Sequence, residues 1–144
     1  MADLPDKRIT EFIHKHHIFT LATSASNVPY TCTCFYVYMD ELNKFVFTSD
    51  HGTRHADEMI AQPLVAGAIA LETTMIGKIQ GIQFTGKSLE LNGPMYEAAL
   101  KAYLDKFPIA TFKKLVLWGI EPEFIKMTHN RLGFGTKLIW NKAD

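Results

Sequence analysis

Cysteine is scarce in this chain: there are two among 144 residues, Cys32 and Cys34. One residue separates them, which is neither a C-x-x-C redox pair nor a zinc-ligand spacing. In an extended run both side chains point to one face, and we read them as two small buried residues. An excess of charge of either sign is also missing. Fifteen basic residues balance fifteen acidic ones and the pI is near 7.0. That argues against nucleic acid as a partner, which would need a basic face. No stretch approaches the roughly 18 apolar residues of a membrane helix. The polar N-terminus carries no apolar signal core. The expectation is therefore a cytoplasmic protein with no membrane partner. H-E-x-x-H, G-x-S-x-G and P-loop motifs are absent. Glu121 and Glu123 flank Pro122 on a predicted bend and do not form an acid–base pair. His14, His16 and His17 have no acid or cysteine at ligand spacing. They end a predicted helix, where they complement its dipole, and no metal site is expected.

What remains is a chain rich in core formers: 47% of residues are apolar and 21% charged, enough for one packed domain over residues 1–144. Residues 3–16 read as a helix with Asp3 or Asp6 as cap and Ile9, Phe12 and Ile13 on one face. Strands are predicted at 18–23, 30–39, 45–49, 64–72, 79–91, 114–120 and 123–128, with 138–140 as a further candidate. Two more helices fall at 53–61 and 95–106. Turns are expected at 24–29 and around Pro122. Gly81 and Gly86 within one long strand suggest bulges, as a curved wall would need. The order α β β β α β β α β β has adjacent strands, not βαβ alternation. It predicts an α+β fold, an antiparallel barrel of six or seven strands with about three helices. Strand 30–39 shows two uncharged faces, Tyr30, Cys32, Cys34, Tyr36 and Tyr38 on one and Thr31, Thr33, Phe35, Val37 and Met39 on the other. Both are expected to be covered, one by the core and the other by a helix, a ligand or a partner subunit.

One segment suggests a binding site on chemistry alone. Phe45-Val46-Phe47-Thr48-Ser49-Asp50-His51-Gly52-Thr53-Arg54-His55 runs from an apolar strand through a polar turn into a helix start. Hydroxyls and backbone N–H groups can donate there, Arg54 supplies a fixed charge, and the helix N-terminus adds a partial positive end. The plain alternative is a surface turn whose Thr53 caps the helix. A ligand seated there would be phosphorylated. With the aromatic strand 30–39 beside it, a nucleotide or a flavin would fit, and composition does not choose between them.

Four motifs extend this reading: His16 to Ser24 (HHIFTLATS), Phe47 to Asp50 with Thr53-Arg54-His55, Ile79 to Gly86 (IQGIQFTG), and Asn130 to Gly135 (NRLGFG). On these the chain resembles the FMN-binding split-barrel superfamily, which includes pyridoxamine 5′-phosphate oxidase. Within it, the chain is most similar to a small bacterial family typified by YhbP. The resemblance implies a split β-barrel, FMN as cofactor and a homodimer with flavin at the subunit interface. It places Thr48 and Ser49 at the flavin-ring contacts and Thr53, Arg54 and His55 on the phosphate triplet, where His55 replaces a lysine. Phosphate affinity would then depend on pH below about 6.5. Cys32 stands where the oxidases carry an arginine. The backbone of Thr33, Cys34 and Tyr36 would line the ring. Either Gln80 or Gln83 would take the place of a ring-contacting glutamine, Gln80 only if Gly81 bulges. The oxidases' substrate residues have no counterpart in 95–106 or in Arg131-Leu132-Gly133. This implies a flavin-dependent oxidoreductase on an unknown small substrate other than pyridoxamine phosphate. The alternatives are a non-catalytic binder of flavin or of another phosphorylated or haem-related ligand, and a dimeric interaction module without cofactor.

Overall fold

In the computed structural model, which describes residues 3–142 apart from the Phe112 side chain, ten elements follow in the expected order. Helix α1 spans Lys7–Lys15. Its Asp6 cap accepts from the Arg8 N–H at 2.8 Å, and Ile9, Phe12 and Ile13 are buried. Strands β1 (Ile18–Ala25), β2 (Val28–Met39) and β3 (Lys44–Thr48) come next, then α2 (Arg54–Ala61). Strands β4 (Leu64–Ala70) and β5 (Gln80–Glu90), helix α3 (Gly93–Lys106), and strands β6 (Leu117–His129) and β7 (Lys137–Asn141) complete the chain. The seven strands form one antiparallel sheet in the order β3-β2-β1-β4-β5-β6-β7, and β3 also pairs with β6. That extra pairing closes the sheet on itself.

Two predicted turns are corrected. The connection expected at 24–29 shrinks to Ser26-Asn27, with φ of 50° and 66°. Two consecutive left-handed residues make the tight hairpin loop that matches strand twist, so β1 and β2 pair as far as Ala25 and Val28. Pro122 does not end a strand either. Its missing N–H falls where the β5–β6 register slips: Thr85 faces Phe124, Gly86 faces Pro122, and Glu123 is the extra residue. Gly86 allows the close approach, because a Cβ there would lie 2.5 Å from the Glu121 carbonyl oxygen.

The barrel interior is aromatic. Phe19, Tyr36, Phe45, Phe47 and Phe84 are all fully buried, and Phe45 stacks on Phe84 at 4.5 Å between centroids. A second cluster around Val46, Leu91, Tyr103 and Leu117 binds α3 to the outside of β3 and β6. Strand β2 is covered unevenly. Cys34, Tyr36 and Tyr38 face the core, and Val37 and Met39 meet the α3 cluster, but Thr31, Thr33 and Phe35 are exposed. The register extends this bare surface across the sheet. Thr33 pairs with Thr20, Thr20 with Ala68 and Ala68 with Gln83; one row along, Thr31, Ala22, Ala66 and Thr85 follow. These eight residues are small or uncharged.

Candidate cofactor site

The turn between β3 and α2 is pinned by three hydrogen bonds to Val116 and Trp118. Thr48 Oγ1 donates to the Val116 carbonyl at 2.9 Å, the Ser49 N–H donates to the same carbonyl at 3.2 Å, and Trp118 Nε1 donates to the Ser49 carbonyl at 3.0 Å. Gly52 has φ of 91°, which a side chain would strain. Thr53 caps α2: its Oγ1 accepts from the Ala56 N–H at 3.3 Å and donates to the Asp50 carbonyl at 2.9 Å. Arg54 and His55 are therefore set in the first turn of a capped helix.

They point to different partners. Arg54 Nε donates to Glu58 Oε2 at 3.0 Å, and its guanidinium lies over the Tyr30 ring, 4.0 Å from the centroid. Glu58 is buried, and its other oxygen accepts from Thr23 Oγ1 at 2.7 Å. Those two hydrogen bonds, led by Thr23, hold the Glu58 carboxyl below its ordinary pKa. The fixed positive charge expected for a phosphate is thus matched by a fixed negative one. His55 turns inward, with Nε2 2.7 Å from Ser49 Oγ. Burial pushes its imidazole down, and the Glu58 charge pulls it partly back. It is not an outward cation of the kind the replaced lysine would be. Beside it lie Cys32 and Cys34, their sulfurs 3.8 Å apart. The hydrogen bond between them lowers the Cys32 thiol and raises that of Cys34, with burial raising Cys34 further.

Next to the turn, a cavity of about 380 Å³ is lined by Phe35, Thr48, Ser49, Tyr103, Phe107 and Leu115. Its walls are apolar and aromatic, suited to a planar ring. Asp50 and Lys113 meet at its rim at 3.0 Å. Lys106 is tied down close by: Nζ donates to the Tyr36 carbonyl at 2.9 Å and to the His16 carbonyl at 3.0 Å, and burial lowers its pKa.

The predicted site residues separate into groups. Thr48 and Ser49 line the cavity, and Thr53, Arg54 and His55 stand at the start of α2. Thr33 is exposed on the outer face of β2. Cys34 and Tyr36 face the core; the Tyr36 hydroxyl donates to the Ile13 carbonyl at 2.6 Å, and its carbonyl is taken by Lys106. Tyr36 thus has its hydroxyl, its N–H and its carbonyl all engaged within the fold. The register slip along β5 lies at Gly86, opposite the extra residue Glu123 of β6, and not at Gly81. Gly81, Gln83 and Thr85 accordingly share the outer face, while Gln80 shares the face of Ile82. Gln83 borders a shallow outer depression with Thr20, Thr31, Ala66 and Ala68.

Sequence reasoning missed Glu58, Tyr30, Lys113 and Phe107. The i,i+4 spacing of Arg54 and Glu58 on one helix is a signal for the first. The others reach the site from distant segments. It also missed the convergence of His55 on the cysteines, since 21 positions separate His55 from Cys34.

No protein-family model matches the chain. Among solved structures, the chain superposes on a heme-binding protein from Mycobacterium smegmatis with a TM-score of 0.72 and 17% identity, over 87% of this chain and 52% of that one. It spans about half the length of that protein. A FAD-binding protein from Mesorhizobium loti gives 0.68 and 17% identity, over 88% and 95%. A pyridoxamine 5′-phosphate oxidase-related, FMN binding protein from Nostoc punctiforme gives 0.67 and 13%, over 89% and 82%. The fold is a split barrel of the pyridoxamine 5′-phosphate oxidase type. At the sequence level, a UPF0306 protein from Yersinia pestis is 36% identical over 137 residues, spanning 94% of this chain and 92% of the relative. The chain belongs to the UPF0306 family. Among the described residues, no helix is long and apolar enough to cross a membrane.

Proposed function

We propose that the protein is a homodimeric FMN-binding split-barrel domain, akin to the group typified by YhbP. The observation that carries this reading is an aromatic cavity beside a pinned strand-to-helix turn, with Thr48 and Ser49 common to both. The Phe35 and Phe107 rings, in edge-to-face contact at 5.5 Å between centroids, would form one wall against the flavin ring, and Thr48 and Ser49 would orient it. Arg54 would meet the phosphate. Its Nε is committed to Glu58, yet among the described residues neither Nη group carries a hydrogen bond, so the outer fork can still donate. Bound FMN would supply the electron chemistry, and the chain would supply binding and orientation.

The outer face supports the dimer. Thr33, whose backbone the resemblance sets along the ring, and Gln83, one of the two glutamines it offers, lie in one row three inter-strand steps apart, about 14 Å. One ring cannot rest on both from a single subunit, but it can between two copies. The uncharged rows between them are suited to burial in such an interface.

A second reading has its own support. A phosphate near −2 would meet Arg54 offset by Glu58, and Lys113 offset by Asp50. Such a weak seat favours a binder over a turnover enzyme, and the M. smegmatis structure shows that this fold also occurs in a heme-binding protein. The test is the visible spectrum of the purified protein followed by turnover with reduced nicotinamides. A flavin spectrum with turnover supports the oxidoreductase. A flavin spectrum without turnover supports the binder. A haem spectrum, or no chromophore together with no uptake of added FMN, rejects the flavin reading.

A further inference from the structure

Cys32, Cys34 and His55 come together although nothing in their sequence spacing brings them together. One ligand atom from each lies within 4.8 Å of the other two. Cys34 is buried, and Cys32 and His55 are half-buried. The two sulfurs stand 3.8 Å apart. Zinc–sulfur bonds of about 2.3 Å at the tetrahedral angle put two thiolates about 3.8 Å from each other. The thiols already have that separation. The imidazole needs only a small approach, since a zinc–nitrogen bond is about 2.0 Å. A disulfide is the poorer use of the pair: residues two apart on an extended strand have Cα atoms about 6.7 Å apart, at the limit of disulfide geometry.

The surroundings hold the third ligand in place. His55 sits in the first turn of the capped helix α2, and Ser49 Oγ contacts its Nε2 at 2.7 Å. Ser49 is buried and fixed through its backbone by Val116 and Trp118. Its hydroxyl can orient the ring or, with water, complete a fourth position. We propose that Cys32, Cys34 and His55 form a zinc-binding site at the junction of β2 and α2. The two thiols release their protons to solvent as the metal enters, and His55 binds neutral. The site would overturn the expectation of no metal formed from sequence spacing. It does not depend on flavin binding.

The experiment uses the whole chain, reduced, free of flavin and under nitrogen. Co(II) is titrated in as a spectroscopic stand-in and then displaced by Zn(II) in competition with a chromogenic chelator. The expected result is one equivalent of Co(II), a thiolate-to-cobalt absorption band in the near ultraviolet, and bleaching of that band by Zn(II). Cys32→Ser and His55→Gln, each checked for native circular dichroism, should lower Zn(II) affinity at least about tenfold. Absence of the band in the wild-type protein would overturn the proposal. So would a band and affinity unchanged in both variants. Cys34→Ser is a third arm; if it fails to fold, the other two variants still decide. FMN uptake is read separately, so loss of one result leaves the other standing.

Discussion

Glu58 occupies the Nε edge of Arg54 at 3.0 Å, so the guanidinium at the start of α2 has a carboxylate as its hydrogen-bond partner. The pair is the i,i+4 kind that is worth little on an open helix. Here the carboxylate end is buried and shared with Thr23 on β1, which ties α2 to the barrel. The same contact that fastens the helix weakens the seat.

Glu58→Gln separates these two effects. With the charge removed and the shape kept, Arg54 is released toward a phosphate. FMN should bind more tightly by up to about tenfold, or ~1.4 kcal/mol. Stability should fall by about 1–2 kcal/mol through the weakened bonds to Thr23 and Arg54. Flavin fluorescence titration reads the first effect and urea unfolding the second.

Gly67 has no room for a side chain. A Cβ there would lie 2.2 Å from the Phe84 ring, and that ring belongs to the central stack. Gly67→Ala should destabilise the fold by about 1–3 kcal/mol through overpacking. Adding Phe84→Leu should recover part of the loss if the clash is the cause. A double-mutant cycle in urea measures the coupling.

The Asp6 cap makes a pH prediction. Its side-chain and backbone bonds with Arg8 hold its carboxyl at about 2 in the folded protein, against an ordinary value of 3.8. The lowered value means that Asp6 contributes its full share of stability above pH 3.8 and loses it as the pH falls through about 2. Asp6→Ala should cost about 1 kcal/mol near neutral pH. The gap between variant and wild type should narrow steadily from about pH 4 downward, as read by acid melts at matched ionic strength.

Much of the fold was legible in the sequence because its cues are local. The alternating apolar positions of β2, the Thr53 cap and the Asn92-Gly93-Pro94 helix start each depend on a few neighbours. Pro122 misled because a proline read alone breaks a strand; only its partner across the sheet, the tightly packed Gly86, shows the bulge that tolerates it. The candidate site was legible as a position and not as a charge state. Arg54 and His55 stand at the expected turn, but Glu58, Tyr30 and Ser49 decide what those side chains face. Tyr30 lies 24 positions before Arg54, and no local pattern reports that contact.

The outer face of the sheet gives a prediction on assembly. Ala66→Arg places a charge in the middle of the uncharged rows, beside Thr85 and Ala22. If two copies meet there, the variant should be monomeric with its fold intact, and flavin uptake should fall with the dimer. Light scattering coupled to size exclusion reads the mass. A wild-type protein that is already monomeric would refute the shared-site arrangement.

FMN titration of the wild-type protein beside Arg54→Ala decides whether the start of α2 holds a flavin phosphate. Flavin fluorescence should be quenched with one equivalent per chain in the wild type. Arg54→Ala should bind at least about tenfold more weakly, since a charge-assisted contact to phosphate is worth about 1.5–3 kcal/mol, with circular dichroism unchanged. No saturable quenching in the wild type at high micromolar FMN, or equal affinity in the two proteins, would rule out a flavin phosphate at Arg54.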